Sequence, residues 1–166
     1  MQRPRVVLEN RSNSNHKTTK IKTMATKIFV NLPVKNLNRS IEFFTKLGFS
    51  FNPQFTNDKG TCMIIGEDIF VMLLVEPFFK SFTKKEIADA TKTTESIICL
   101  SADGKEQVDE MVKKAVAAGG TTPNQKQEDQ GFMYGHGFED LDGHLWEVMW
   151  MDVNAIPQTE MVDQSA

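Results

Sequence analysis

The chain has 166 residues, of which 40% are hydrophobic and 25% charged, and its formal net charge is −3. That balance rules out a chain disordered or fibrous as a whole, and it leaves no basic footprint to draw nucleic acid. The longest apolar stretch, Ile69 to Val75, is far too short to cross a bilayer as a helix. Two cysteines, Cys62 and Cys99, make no disulfide framework and have no metal-type spacing. Both sit in apolar runs where a thiol packs as a small hydrophobe, which fits a reducing, cytoplasmic setting. Residues 1–23 are basic, rich in Asn, Ser and Thr, and without a secretory core, so they read as a disordered tail or an over-extended start, with Met24 as the natural beginning.

From there the elements follow in order. Lys27 to Val34 alternates and is rich in β formers, which predicts a strand ended by Pro33. Asn36 is placed to cap a helix whose apolar positions, Leu37, Ile41, Phe44 and Leu47, recur every three or four residues, and Gly48 stops it. Strands are expected over Phe49 to Phe55, Thr61 to Ile65 and Ile69 to Glu76, the last two joined by the turn Gly66-Glu67-Asp68. The order then repeats. Ser96 to Ala102 is a strand. Asp103 and Glu106 have capping-box spacing ahead of a helix with Val108, Met111, Val112 and Ala115 on one face, closed by Gly119-Gly120. A weak strand near Thr121 precedes Phe132 to Glu139 and Leu145 to Met151, which flank the turn Asp140-Leu141-Asp142-Gly143.

The pattern is a β-α-β-β-β unit written twice, so the fold class is α+β, two βαβββ modules forming a cupped, open barrel. The division is 24–78 for the first module, 79–94 for a linker or lid carrying Phe79 and Phe82, 95–152 for the second module, and 153–166 for a C-terminal tail. One such unit has a sheet with only one face covered by its helix, and two can lay their other faces around a small-molecule cavity.

Two runs carry a family resemblance. Leu32-Pro33-Val34-Lys35-Asn36-Leu37, continuing to Phe43-Phe44 and Leu47-Gly48-Phe49, resembles the opening strand and helix of the vicinal-oxygen-chelate superfamily, the glyoxalase, bleomycin-resistance and extradiol-dioxygenase relatives. Phe138-Glu139-Asp140-Leu141-Asp142-Gly143-His144-Leu145-Trp146-Glu147 resembles its closing hairpin, with Leu141 where the family pattern has Pro. The similarity runs from Lys27 to Met151. It implies four inward residues that hold a divalent metal (Zn, Ni, Fe or Mn) in the family's enzymes, from the first and last strand of each module. Those positions fall on Phe29, Met72, Ile97 and Glu147, of which only Glu147 is a donor. No cofactor is therefore expected; if a metal binds, Glu147 and His136 are its first candidates.

The remaining candidates follow from the residues. Glu147, opposite in facing to Trp146 and Val148, is a candidate general base, or it hydrogen-bonds Asn31, Tyr134 or His136 and only shapes the pocket. Asn31 shares a face with Phe29 and could read a substrate oxygen or satisfy the backbone. Tyr134 and His136 share a face and are expected to form a polar side of the pocket beside Glu147. Met72, Cys99 and Met149, with Phe29 and Ile97, are expected to line it. His144, next to the turn glycine, is expected in solvent.

Three functions fit: a metal-independent binder of a small apolar or aromatic compound, a lyase or dioxygenase using Glu147, or a structural or regulatory homodimer with a filled pocket. The first is the preferred expectation, with a small molecule and a second copy of the chain as partners and neither nucleic acid nor membrane among them. Whether the protein is an enzyme is left open by the sequence.

Overall fold

A computed structural model describes residues 26–123 and 128–155. The tail expectation for residues 1–23, the proposed start at Met24 and most of the C-terminal tail lie outside these described residues.

Two four-stranded mixed sheets carry the chain. The first is built from β1 (Ile28–Val34), α1 (Leu37–Leu47), β2 (Ser50–Asn52), β3 (Gly60–Ile64) and β4 (Ile69–Val75), in the strand order β1-β4-β3-β2. A short helix, α2 (Glu76–Lys80), leads into the linker. The second sheet uses β5 (Ile97–Ser101), α3 (Lys105–Ala117), β6 (Glu128–Asp129), β7 (Met133–Glu139) and β8 (Leu145–Met151), in the order β5-β8-β7-β6. In each sheet the first strand runs parallel to the last and the others are antiparallel. The expected duplication is thus repeated strand for strand. It extends to register: Phe29 pairs with Phe70 and Asn31 with Met72, as Ile97 pairs with Leu145 and Cys99 with Glu147.

Local chemistry sets the boundaries. The Asn36 side chain accepts from the Arg39 N–H at 3.1 Å, and Gly48, at φ 104°, returns its N–H to Phe44 and Thr45. A side chain at that left-handed position would be strained, so the helix stops there. Three expectations need correction. The strand over Phe49 to Phe55 is cut to Ser50–Asn52, because Pro53 cannot continue the ladder and starts a 3-10 turn, Pro53–Phe55. The capping box at Asp103 does not form: Gly104 is the N-cap, and the Gln107 side chain accepts the Asp103 N–H instead. Near Thr121 there is a single bridge to Glu139, while the edge strand is β6.

The helix-bearing faces of both sheets share one core. Phe43 and Phe44 of α1 meet Phe138 and Trp146 of the second sheet, with ring centroids 6.3 Å apart for Phe43–Phe138 and 5.1 Å for Phe44–Trp146. All four are essentially removed from water. At about 25 cal/mol per Å², aromatic burial of this size dominates the packing energy. The opposite faces stay open: Phe29 is 52% and Ile97 54% exposed. The residues 77–94 lie along the β1 edge, where Phe79 and Thr83 border a cavity of about 550 Å³ with Asn31, Pro33 and Ile98, while Phe82 points outward at 70% exposure. The linker therefore covers the junction of the modules.

Candidate functional site

Strand alternation and register decide what each face carries. In β1, Val30, Leu32 and Val34 turn toward α1, and Phe29 and Asn31 toward the open face. Phe29 stacks on Phe70 of β4, centroids 4.9 Å apart at 16°. Asn31 makes one long contact, Nδ2 to the Phe29 carbonyl at 3.4 Å, and is otherwise exposed. Met72 follows in register. In the second sheet Trp146 and Val148 are buried against the core, which leaves Leu145, Glu147 and Met149 on the open face beside Ile97 and Cys99. All four positions at which the resemblance implies metal ligands therefore do share the open faces, with Phe29, Met72, Ile97 and Glu147 standing there.

That donor set does not suit a divalent cation: one carboxylate among apolar side chains supplies a single hard ligand. Among the described residues no group of three or more His, Cys, Asp or Glu is disposed to hold a metal. Glu147 is half-buried and has no hydrogen bond or ion pair among the described residues; none of Asn31, Tyr134 and His136 bonds it. The strands around the Cys99 thiol and the Glu147 carboxylate beside it push that thiol's pKa up, so it stays protonated and a weak nucleophile at neutral pH.

Tyr134 lies away from the expected polar side of the pocket, while His136 borders the hollow beside Glu147 but turns its ring to the other face. In the β7–β8 hairpin His136 pairs with Val148 and Phe138 with Trp146, so both candidates face α3, while Gly135 and Gly137 face the same side as Met149 and Glu147. The Tyr134 hydroxyl donates to Asp109 Oδ1 at 2.6 Å, and burial followed by the Asp109 carboxylate pushes its pKa up to about 12. It is a structural phenol. Tyr134→Phe is expected to cost about 1.5–3 kcal/mol in urea unfolding, the worth of a hydrogen bond to a charged acceptor; a loss below about 0.5 kcal/mol would contradict that role. His136 borders Asp109, Val112 and Val116 of α3, and its buried Nδ1 has no hydrogen-bond partner. The residue borders the hollow that Glu147 lines, but its ring turns to α3 and the Glu147 side chain to the open face.

The hollow on the second open face is bordered by the expected Ile97, His136, Glu147 and Met149, and its room comes from two glycines between them. Gly135 and Gly137 form a bare floor, and with Glu147, Met149, Met133 and Leu145 they bound about 200 Å³. The signal was present: two glycines two apart in a strand clear one face of it.

The closing turn is a staple between the modules and not part of the site. Asp140 Oδ1 accepts the N–H groups of Asp142 and His144, each at 3.0 Å, and its Oδ2 accepts the Trp146 indole at 3.1 Å. Asp142 reaches into the first module, where Oδ1 accepts from the Lys35 N–H at 2.9 Å and Oδ2 from the Ser40 hydroxyl at 3.2 Å. His144, expected in solvent, is half-buried, with Nε2 2.8 Å from the Pro33 carbonyl. Burial holds the Asp140 carboxyl above its usual range, against the pull of His144 and the donors around it. Gly143, at φ 91°, passes so close to the linker that a Cβ would lie 2.8 Å from the Thr91 nitrogen.

The family model described as "Glyoxalase/Bleomycin resistance protein/Dioxygenase superfamily" matches residues 27–148. Among solved structures, a hypothetical protein from S. aureus is 32% identical, with a TM-score of 0.65 over 76% of this chain and 95% of that one. A glyoxalase/bleomycin resistance protein/dioxygenase family enzyme from Burkholderia phytofirmans is 15% identical, with a TM-score of 0.62 over 75% of this chain and 97% of the other. A genomically encoded fosfomycin resistance protein from Listeria monocytogenes is 20% identical, with a TM-score of 0.56 over 76% and 90%. The last two share the fold. No curated protein matches the sequence.

Proposed function

Because this chain belongs to the glyoxalase/bleomycin resistance protein/dioxygenase superfamily, we propose that its open faces hold a small, largely apolar or aromatic molecule without the help of a metal. The observation that carries this reading is the composition of the four inward positions. Phe29, Met72 and Ile97 stand where the superfamily's metalloenzymes present donors, and Glu147 is alone. What lost its ligands kept its shape: the stacked Phe29–Phe70 pair and the glycine-floored hollow give a ligand flat apolar surface and room. The uncovered hollow and the half-exposed Phe29 and Ile97 also weigh against a pocket filled by its own side chains.

The test is a titration of methionine-methyl-labelled protein with 2-naphthalenemethanol in the presence of a chelator. Shifts of the Met72, Met133 or Met149 methyl resonances, saturating and indifferent to the chelator, are expected. Shifts that require added metal, or none at all, would refute the reading.

We also propose that two copies assemble. Ile28, Phe29, Ile69 and Ile97 are all large, apolar and 45–54% exposed, and large apolar side chains left to water are candidates for an association surface. Sedimentation equilibrium should show a dimer, and Ile97→Lys should shift it toward monomer; a monomeric wild-type protein would refute the assembly.

A further inference from the structure

We propose that the molecule held in the hollow of the second sheet carries a positive charge, as an aromatic or aliphatic amine whose ammonium group pairs with Glu147. The proposal rests on the small-molecule reading above and names the class of ligand. Its starting point is an imbalance. Glu147 lies on β8, the inner strand between β5 and β7, half-buried between Leu145 and Met149 along the strand and opposite Gly137. Four acids of this module that pack against its sheet have partners: Glu139 accepts the Thr121 hydroxyl, Asp129 pairs with Lys105, and Asp140 and Asp142 are used in the staple. Glu147 has no hydrogen bond or ion pair among the described residues.

Nor do the described residues of the open faces supply one. The side chains that β1, β4, β5, β7 and β8 turn outward include no Arg, Lys or His: Lys27, just before β1, is held by Asp68, and His136 borders the hollow but turns its ring to α3. A carboxylate partly withdrawn from water and left unpaired costs free energy that only an incoming partner can recover. Gly135 and Gly137 keep the space next to it clear, about 200 Å³, enough for an ammonium head and the first part of its body. Met133 and Met149, soft and polarisable, border the same hollow and suit a ring or an alkyl chain. A neutral apolar ligand would cover Glu147 and pay for its desolvation; a cation would gain from it.

The experiment compares 2-naphthylmethylamine, cationic at pH 7, with 2-naphthalenemethanol by isothermal titration calorimetry at low salt. On the wild-type protein the amine should bind about tenfold tighter or better, as a charge-assisted contact warrants. Glu147→Gln should bring the two probes to near-equal affinity, the amine weakening and the alcohol not weakening, with the melting temperature not lowered. Equal binding of both probes to the wild type would overturn the charge proposal while leaving the small-molecule reading intact. A preference for the amine that survives in Glu147→Gln would overturn the role of Glu147. Binding of neither probe would overturn both readings. The wild-type comparison needs no variant, so it stands even if Glu147→Gln fails to fold.

Discussion

Asp142→Ala is expected to destabilise the protein by about 3–5 kcal/mol, because it removes one acceptor that serves two donors of the other module. The Lys35 N–H and the buried Ser40 hydroxyl both reach this carboxylate, and on truncation the hydroxyl keeps only the Asn36 carbonyl of its own helix turn at 3.1 Å, while the Lys35 N–H loses its side-chain acceptor. Each hydrogen bond to a charged acceptor is worth about 1.5–3 kcal/mol, and two are lost together. These contacts also join segments more than a hundred residues apart, so their loss loosens the docking of the two modules. Urea unfolding should show the midpoint falling with little change in slope. Asp142→Asn, which keeps an acceptor, should lose less. A loss for Asp142→Ala below about 1 kcal/mol would show that the shared aromatic core alone holds the modules together.

Gly135→Val is the largest effect expected on binding. Gly135 has no left-handed backbone, and an added Cβ would meet only the Val148 carbonyl at 3.6 Å and the Met149 side chain at 4.0 Å, ordinary contact distances. A β-branched residue also suits a strand, so the fold should survive with a change within about 1 kcal/mol. Its side chain, however, would stand in a hollow of about 200 Å³. The affinity for 2-naphthylmethylamine should fall by about tenfold or more, equal to about 1.4 kcal/mol. Unchanged affinity in a folded Gly135→Val protein would place the ligand elsewhere.

The fold was legible because its signals are local. Asn36 and Gly48 mark the ends of a helix by chemistry that needs no partner, and the repeated order of strands and helix announces two equivalent modules. The open-face positions of β1, β5 and β8 followed from simple alternation. The error at Tyr134 and His136 is instructive. Alternation within β7 correctly put the two on one side, but which side depends on pairing with β8. The turn closes between Glu139 and Leu145, and counting back from it sets Gly137, not His136, opposite Glu147. The bond between His144 and Pro33 and the reach of Asp142 to Ser40 are contacts across the whole chain, and no pattern in one segment announces them. The hollow itself was written in what is missing from the strand, the side chains of Gly135 and Gly137.

The most direct test of the central claim is elemental analysis of the tag-free protein purified without chelators, followed by melting in the presence of Ni, Zn, Mn or Fe and, separately, of 2-naphthylmethylamine. The account predicts far less than one metal per chain, no stabilisation by any of the four cations, and a higher melting temperature with the amine. Near-stoichiometric metal, with a melting temperature that rises when it is restored, would contradict it and make Glu147 the ligand of a lyase or dioxygenase.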